Sequence, residues 1–105
     1  MKISKSIYKL SSEFPIEERY WLISQIRRAS VSIISNIAEW NSKSSDKHFR
    51  QYLETSLWSV FEVEAQLELA KELSYVSNIN KLIEELNELW KMINWLVKSL
   101  SNSKL

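Results

Sequence analysis

Apolar residues recur three and four positions apart along almost the whole chain, and the one sustained β-branched cluster, Val31-Ser32-Ile33-Ile34, falls inside that rhythm. Such spacing gathers apolar side chains on one face of an α-helix, so the chain is expected to be all-α. A short first helix takes residues 1–13, with Ile3, Ile7 and Leu10 on one side. It stops near Phe14 because Pro15 disfavours helix in the residue before it. Pro15 opens the second helix, since its fixed φ suits a first turn, and Glu17 and Glu18 follow where carboxylates complement the helix dipole. The stripe Ile16, Tyr20, Ile23, Ile26, Ser30, Ile33/Ile34 and Ile37 carries that helix to about Glu39.

Asn41-Ser42-Lys43-Ser44-Ser45 is a polar break that reads as a loop. Ser44 or Ser45 can cap a third helix with Asp46 in its first turn, and Phe49, Leu53, Leu57, Val60, Leu67, Ala70 and Leu73 then share a face. Ser74 to Asn78 ends it, Ser77 or Asn78 caps a fourth, and Ile79, Leu82/Ile83, Leu86, Leu89, Ile93, Leu96/Val97 and Leu100 follow at near-heptad spacing. Short connections between long amphipathic helices make neighbours antiparallel. The expected architecture is an up-and-down four-helix bundle with a short first helix.

At 105 residues, 45% hydrophobic and 26% charged, the chain suits one domain spanning 1–105. The absence of cysteine removes disulfides and thiolate metal sites, and the single His48 leaves neither a histidine metal set nor a histidine-based triad. No apolar stretch is long enough for a membrane span or a secretory leader, which predicts a cytoplasmic protein with no membrane partner. The net charge of +1 conceals an asymmetry: residues 1–52 carry nine Lys/Arg against five Asp/Glu (+4), and residues 53–105 carry five against eight (−3). That division suits an anionic partner on one side, or an oligomer pairing unlike faces.

Glu62, Glu64 and Glu68 on the third helix, with Glu84, Glu85 and Glu88 on the fourth, raise the question of a di-metal bundle site. That chemistry needs Glu-x-x-His on two helices, and no glutamate stands three residues before His48, so a solvated acidic face is expected and no metal or cofactor. His48 reads as a surface residue able at most to touch a phosphate. Arg27 and Arg28 lie about 100° apart around their helix, so they cannot share one face. Their guanidinium groups suit phosphate or a partner's carboxylate, the alternative being an intrachain salt bridge to the acidic helices. Lys43, Lys47 and Arg50 gather around the second connection and the start of the third helix. With Arg27 and Arg28 they form the predicted nucleic-acid-binding set. No nucleophile has a base in pattern and no Gly-rich loop exists, so no catalytic residue is assigned. Ser30, Ser32, Ser35 and Asn36 read as packing and hydrogen-bonding residues at a close helix contact.

Glu18-Arg19-Tyr20, Ser24-Gln25-Ile26-Arg27-Arg28-Ala29, Val31-Ser32-Ile33, Ser35-Asn36-Ile37-Ala38-Glu39 and Ser45-Asp46-Lys47 with Phe49 resemble the bacterial four-helix bundle proteins encoded in intervening sequences of 23S rRNA genes. The resemblance continues through Glu62 to Leu69, Leu73-Ser74-Tyr75, Met92-Ile93-Asn94 and Leu96 to Leu100, covering residues 7–100. It implies a homo-oligomer, because the related accessory proteins of diversity-generating retroelements form a pentameric barrel that binds RNA and a reverse transcriptase. It implies no enzymatic activity. The expected function is therefore a non-catalytic accessory protein that binds or scaffolds structured RNA. The alternative is a protein-interaction module that docks a partner such as a reverse transcriptase without touching RNA.

Glycine is absent from the chain, whereas tryptophan occurs five times. All five, Trp21, Trp40, Trp58, Trp90 and Trp95, coincide with positions at which the family it resembles typically has glycine. Filling a close helix contact with so bulky a side chain costs about 1–3 kcal/mol per site, and five such changes approach the whole stability of a small domain, about 5–15 kcal/mol. The coincidence predicts UGA codons that mean glycine in the source and are written here as tryptophan. Ser42 and Ser74 also stand where the family often has glycine. Met1 aligns with the interior of the family's first helix, so a start about ten residues upstream is expected, which would lengthen that helix and cover more of the core.

Overall fold

The computed structural model describes residues 2–42 and 49–103. Among them lie four α-helices, α1 (Lys2–Ser11), α2 (Ser24–Ser42), α3 (Phe49–Glu72) and α4 (Asn80–Ser103), with a 3₁₀ turn (Ile16–Glu18) and a π turn (Arg19–Ile23) ahead of α2. No strand occurs among the described residues. The fold is the expected all-α four-helix bundle with a short first helix. Residues 25, 32 and 33 of α2 reach residues 66, 59 and 56 of α3 respectively, which makes the two helices antiparallel.

α1 buries Ile3 and Ile7, four residues apart, and continues the same line to Ser11. Its last turn tightens, with the amides of Glu13 and Phe14 donating to the carbonyls of Leu10 and Ser11 at 3.1 Å each, before Pro15 ends the helix. Ile26, Ala29, Ile33, Leu53, Val60, Val63, Leu67, Ile79, Leu82, Leu86, Ile93 and Val97 complete the main core. Burying each larger member contributes about 1.5–3 kcal/mol. A second, smaller cluster of Phe14, Leu22 and Ala70 seals the end where α1 turns into α2, with Tyr75 packed on it.

The start of the second helical segment departs from the expected regular helix. Pro15 is followed by a single 3₁₀ turn and then a π turn, and only from Ser24 does α geometry hold. A π turn contains one extra residue, which rotates everything before it by about 100° relative to the α2 face. Ile16 and Tyr20 are consequently 69% and 81% exposed, while Leu22 takes the buried place. At the other end α2 runs through Trp40 and Asn41 to Ser42, beyond the expected stop near Glu39, since exposed polar residues are tolerated in a last turn. The expected caps Ser44 and Ser45 lie outside the described residues. On α3 the buried line is Leu53, Ser56, Val60, Val63, Leu67 and Ala70, and Leu73 is exposed.

The α3–α4 connection is built as expected around Ser74, and its geometry explains why a glycine suits that place. Ser74 has φ 64°, the left-handed region. The amide of Tyr75 donates to Ala70 O at 2.9 Å and that of Ser74 to Lys71 O at 3.0 Å. This pairing satisfies the last carbonyls of α3, and a residue without Cβ adopts it at lowest cost. Of the two caps expected for α4, Asn78 is the one used: its Oδ1 accepts from the amide of Asn80 at 3.0 Å.

Candidate nucleic-acid interface

Of the predicted basic set the structure describes Arg27, Arg28 and Arg50, and it gives Arg27 an intrachain partner. Arg27 points back to α1, where its Nε donates to Ser11 Oγ at 2.8 Å and its Nη2 to Tyr8 O at 3.2 Å. Its guanidinium carbon lies 4.6 Å from the Tyr8 ring centre, a cation–π stack. The intrachain partner is thus the end of α1 rather than a carboxylate of the acidic helices, as the salt-bridge alternative had it. Arg27 clamps a helix too short to hold itself, because one fork supplies two donors in fixed geometry. Arg28, one residue on, is exposed, as the angular separation required. Arg50 is exposed at the start of α3 with its Nε 3.4 Å from Glu54, an i,i+4 pair of small energetic weight. Lys43, Lys47 and His48 lie outside the described residues.

The exposed basic groups that the structure describes are Lys2, Lys5 and Lys9 on α1, Arg28 on α2, Arg50 and Lys71 on α3, and Lys81, Lys91 and Lys98 on α4. Exposed Glu62, Glu68 and Glu72 occupy the later part of α3, and Glu84 and Glu88 sit on α4. The charge division of the sequence is not a clean division in space: exposed lysines also lie on α3 and α4, and Lys2 lines a surface pocket together with Glu85 and Glu88 of α4, while α1 packs mainly against α2. Among the described residues, no three His, Asp or Glu side chains converge to hold a metal ion. No helix there is long and apolar enough to cross a membrane.

None of the five tryptophans enters the closed core. Trp21, Trp58 and Trp95 are 68%, 72% and 65% exposed. Trp40 and Trp90 pack partly buried along its edge. The overpacking cost expected of them is not incurred, because helix geometry turns each one outward or to the periphery. Phe61 joins two of them into a row, its ring centre 6.3 Å from those of Trp58 and Trp90.

The serines of α2 do what their spacing suggested, with partners on α3 that the sequence did not single out. Ser56 Oγ donates to Ile33 O at 2.9 Å, and Ser59 Oγ reaches Ser32 Oγ at 2.8 Å. Asn36 Nδ2 donates to Ser32 O at 2.8 Å and to Ser32 Oγ at 3.1 Å, while Ser30 Oγ donates to Arg27 O at 2.9 Å. Ser35 is exposed. Small side chains at positions 29, 30, 56 and 59 let α2 and α3 approach closely, and each buried hydroxyl has a partner, as burial demands. At the far end, Tyr75 donates its hydroxyl to Glu18 Oε2 at 2.5 Å and lies with its ring centre 5.7 Å from that of Phe14. That hydrogen bond, then burial, then the negative charges of Glu18 and Glu17 raise the Tyr75 pKa above its ordinary value of 10.0.

The fold and these surfaces define an all-α bundle whose accessible chemistry is that of charge and exposed aromatic rings. The chain belongs to the 23S rRNA-intervening sequence protein family, whose family model matches residues 1–95. This is not a known enzyme family. No curated protein matches the chain.

Proposed function

We propose that the protein is a non-catalytic, oligomeric accessory protein that binds structured RNA through basic residues of its N-terminal half. The observation that carries this is the exposure of Lys2, Lys5, Lys9, Arg28 and Arg50 within residues 1–52, the stretch whose nine Lys/Arg outnumber its five Asp/Glu. Lys43 and Lys47 add to the same stretch of sequence. Arg27 supports the surface by fixing α1 rather than by contacting phosphate. Binding of this kind weakens as salt rises, because phosphate neutralisation releases counterions. The test is fluorescence anisotropy with a labelled RNA hairpin over a salt series. Arg28→Glu combined with Arg50→Glu should weaken binding and flatten the salt slope by about one to two contacts. Affinity that is absent, or indifferent to salt, overturns the proposal.

A second reading has its own observation. Trp21, Trp58 and Trp95 are large, apolar and exposed, which favours burial against protein, either another subunit or a partner such as a reverse transcriptase. Capture of a partner that survives charge reversal at Arg28 and Arg50 while RNA retention is lost would show both surfaces at work. The codons at positions 21, 40, 58, 90 and 95 bear directly on this reading. UGA at all five makes those positions glycine in the natural chain and removes the aromatic surface, whereas UGG makes the tryptophans its leading contacts.

A further inference from the structure

The hydrogen-bonded seam between α2 and α3 does not run the full length of the two helices. Toward the end where α2 finishes and α3 starts it opens into a cleft of about 420 Å³, lined by Asn36, Gln51, Tyr52 and Thr55. That volume falls within the range of small-ligand pockets, about 300–1,000 Å³. Among the described residues, no charged side chain lines it. Asn36 Nδ2 is committed to the carbonyl and hydroxyl of Ser32, and because a carbonyl oxygen can only accept, the amide orientation is fixed. What Asn36 has left is Oδ1, an acceptor. Thr55 donates its hydroxyl proton to Gln51 O at 3.0 Å, so its oxygen also remains as an acceptor. Gln51 adds an exposed carboxamide, and Tyr52 adds a half-buried aromatic ring. A cleft whose described lining offers one flat apolar ring and a rim of amide and hydroxyl groups matches an occupant that is planar, neutral and polar only at its edges.

We propose that this cleft is a subsite for one unpaired nucleobase of a bound RNA strand, with Tyr52 as the stacking platform and the neighbouring Arg50 toward the backbone. The proposal rests on the RNA-binding function proposed above and gives it a preference. Acceptors at Asn36 Oδ1 and Thr55 Oγ favour bases carrying an exocyclic amine, such as adenine and cytosine. Uracil, whose single N–H lies between two carbonyls, brings further acceptors against them. Base readout of this sort uses stacking and edge hydrogen bonds, so it is separable from the phosphate contacts that give salt dependence.

The experiment measures anisotropy of short fluorescein-labelled oligoadenylate, oligocytidylate and oligouridylate with the full chain, checking each variant's fold by circular dichroism. Oligoadenylate and oligocytidylate should bind more tightly than oligouridylate. Tyr52→Ala should weaken binding by about 5- to 150-fold without changing the salt slope, and Tyr52→Phe should retain it. Asn36→Ala should bring the three oligomers closer together. Wild-type affinity and preference in folded Tyr52→Ala, with loss in Arg28→Glu/Arg50→Glu, overturns the subsite while leaving RNA binding in place. If the wild type binds none of the oligomers, RNA binding falls, and the cleft is judged by titrating adenosine monophosphate into ¹⁵N-labelled protein. Shifts centred on the Asn36 side-chain amide keep a base site there, and unmoved resonances overturn it.

Discussion

The two sides of α3 are made of different materials. Toward α2 it presents Ser56 and Ser59, both buried and each hydrogen-bonded to a named atom of the opposing helix. Toward α4 it presents Phe61, an exposed ring whose centre lies 6.3 Å from that of Trp90 with the two planes tilted by 49°. The first contact depends on position, since sliding α2 by one residue would separate Ser56 Oγ from Ile33 O and leave a buried polar group without a partner. The second depends on area and tolerates adjustment, because dispersion and apolar burial are not directional. One helix thus takes its register from serine and much of its adhesion from large apolar side chains.

Substitutions can break that contrast. The largest effect is expected from Leu86→Ala on α4, which removes a fully buried side chain and should lower unfolding free energy by about 2–5 kcal/mol in urea titrations. Ser56→Val should cost about 1–3 kcal/mol through crowding of the close contact. A loss as small as that of Phe61→Ala would show that the serine side has no special fit. Arg27→Lys retains charge but loses the fork, and should cost about 1–2 kcal/mol with faster amide hydrogen exchange confined to α1. Ser74→Gly should raise stability by about 1 kcal/mol, read as a higher melting temperature, because it relieves the left-handed backbone at φ 64°.

The smallest effect concerns Tyr75. Its folded pKa lies above the ordinary value, so its hydroxyl stabilises the fold at neutral pH and that contribution is lost as pH rises through the raised value. Tyr75→Phe should melt slightly below the wild type at neutral pH and no lower than it in strong alkali. A difference that stays constant with pH would place the contribution in ring packing on Phe14 instead.

The helical rhythm made α1, the regular part of α2, α3 and α4 legible, because Ile7, Ile26, Ile33, Leu53, Leu67, Leu86 and Ile93 obey one period from end to end. It misplaced Ile16 and Tyr20, since a pattern of apolar residues carries no mark of a π turn lying between them and Ile26. Of the candidate site, the exposure of Arg28 followed from its angle to Arg27. The clamp made by Arg27 was not visible, because its partners Tyr8 and Ser11 belong to another helix and use a backbone carbonyl and a hydroxyl. The Asn36–Tyr52 cleft was hidden for the same reason. Half of it was noticed as a run of small polar residues, and the other half is an ordinary-looking Gln-Tyr-x-x-Thr.

The π turn at Arg19–Ile23 gives the chain a place where its length can change by one residue. Deleting a single residue there would restore α geometry from about Arg19 onward and leave Ile26, Ile33 and their partners undisturbed. The cost would fall upstream, where Phe14 would swing off its seat against Tyr75 and α1 would lose its alignment with Arg27. The turn therefore acts as a gauge block set between two units of the bundle, so that insertions or losses in this stretch of the gene are paid in the orientation of α1 and not in the register of the helices that carry the core.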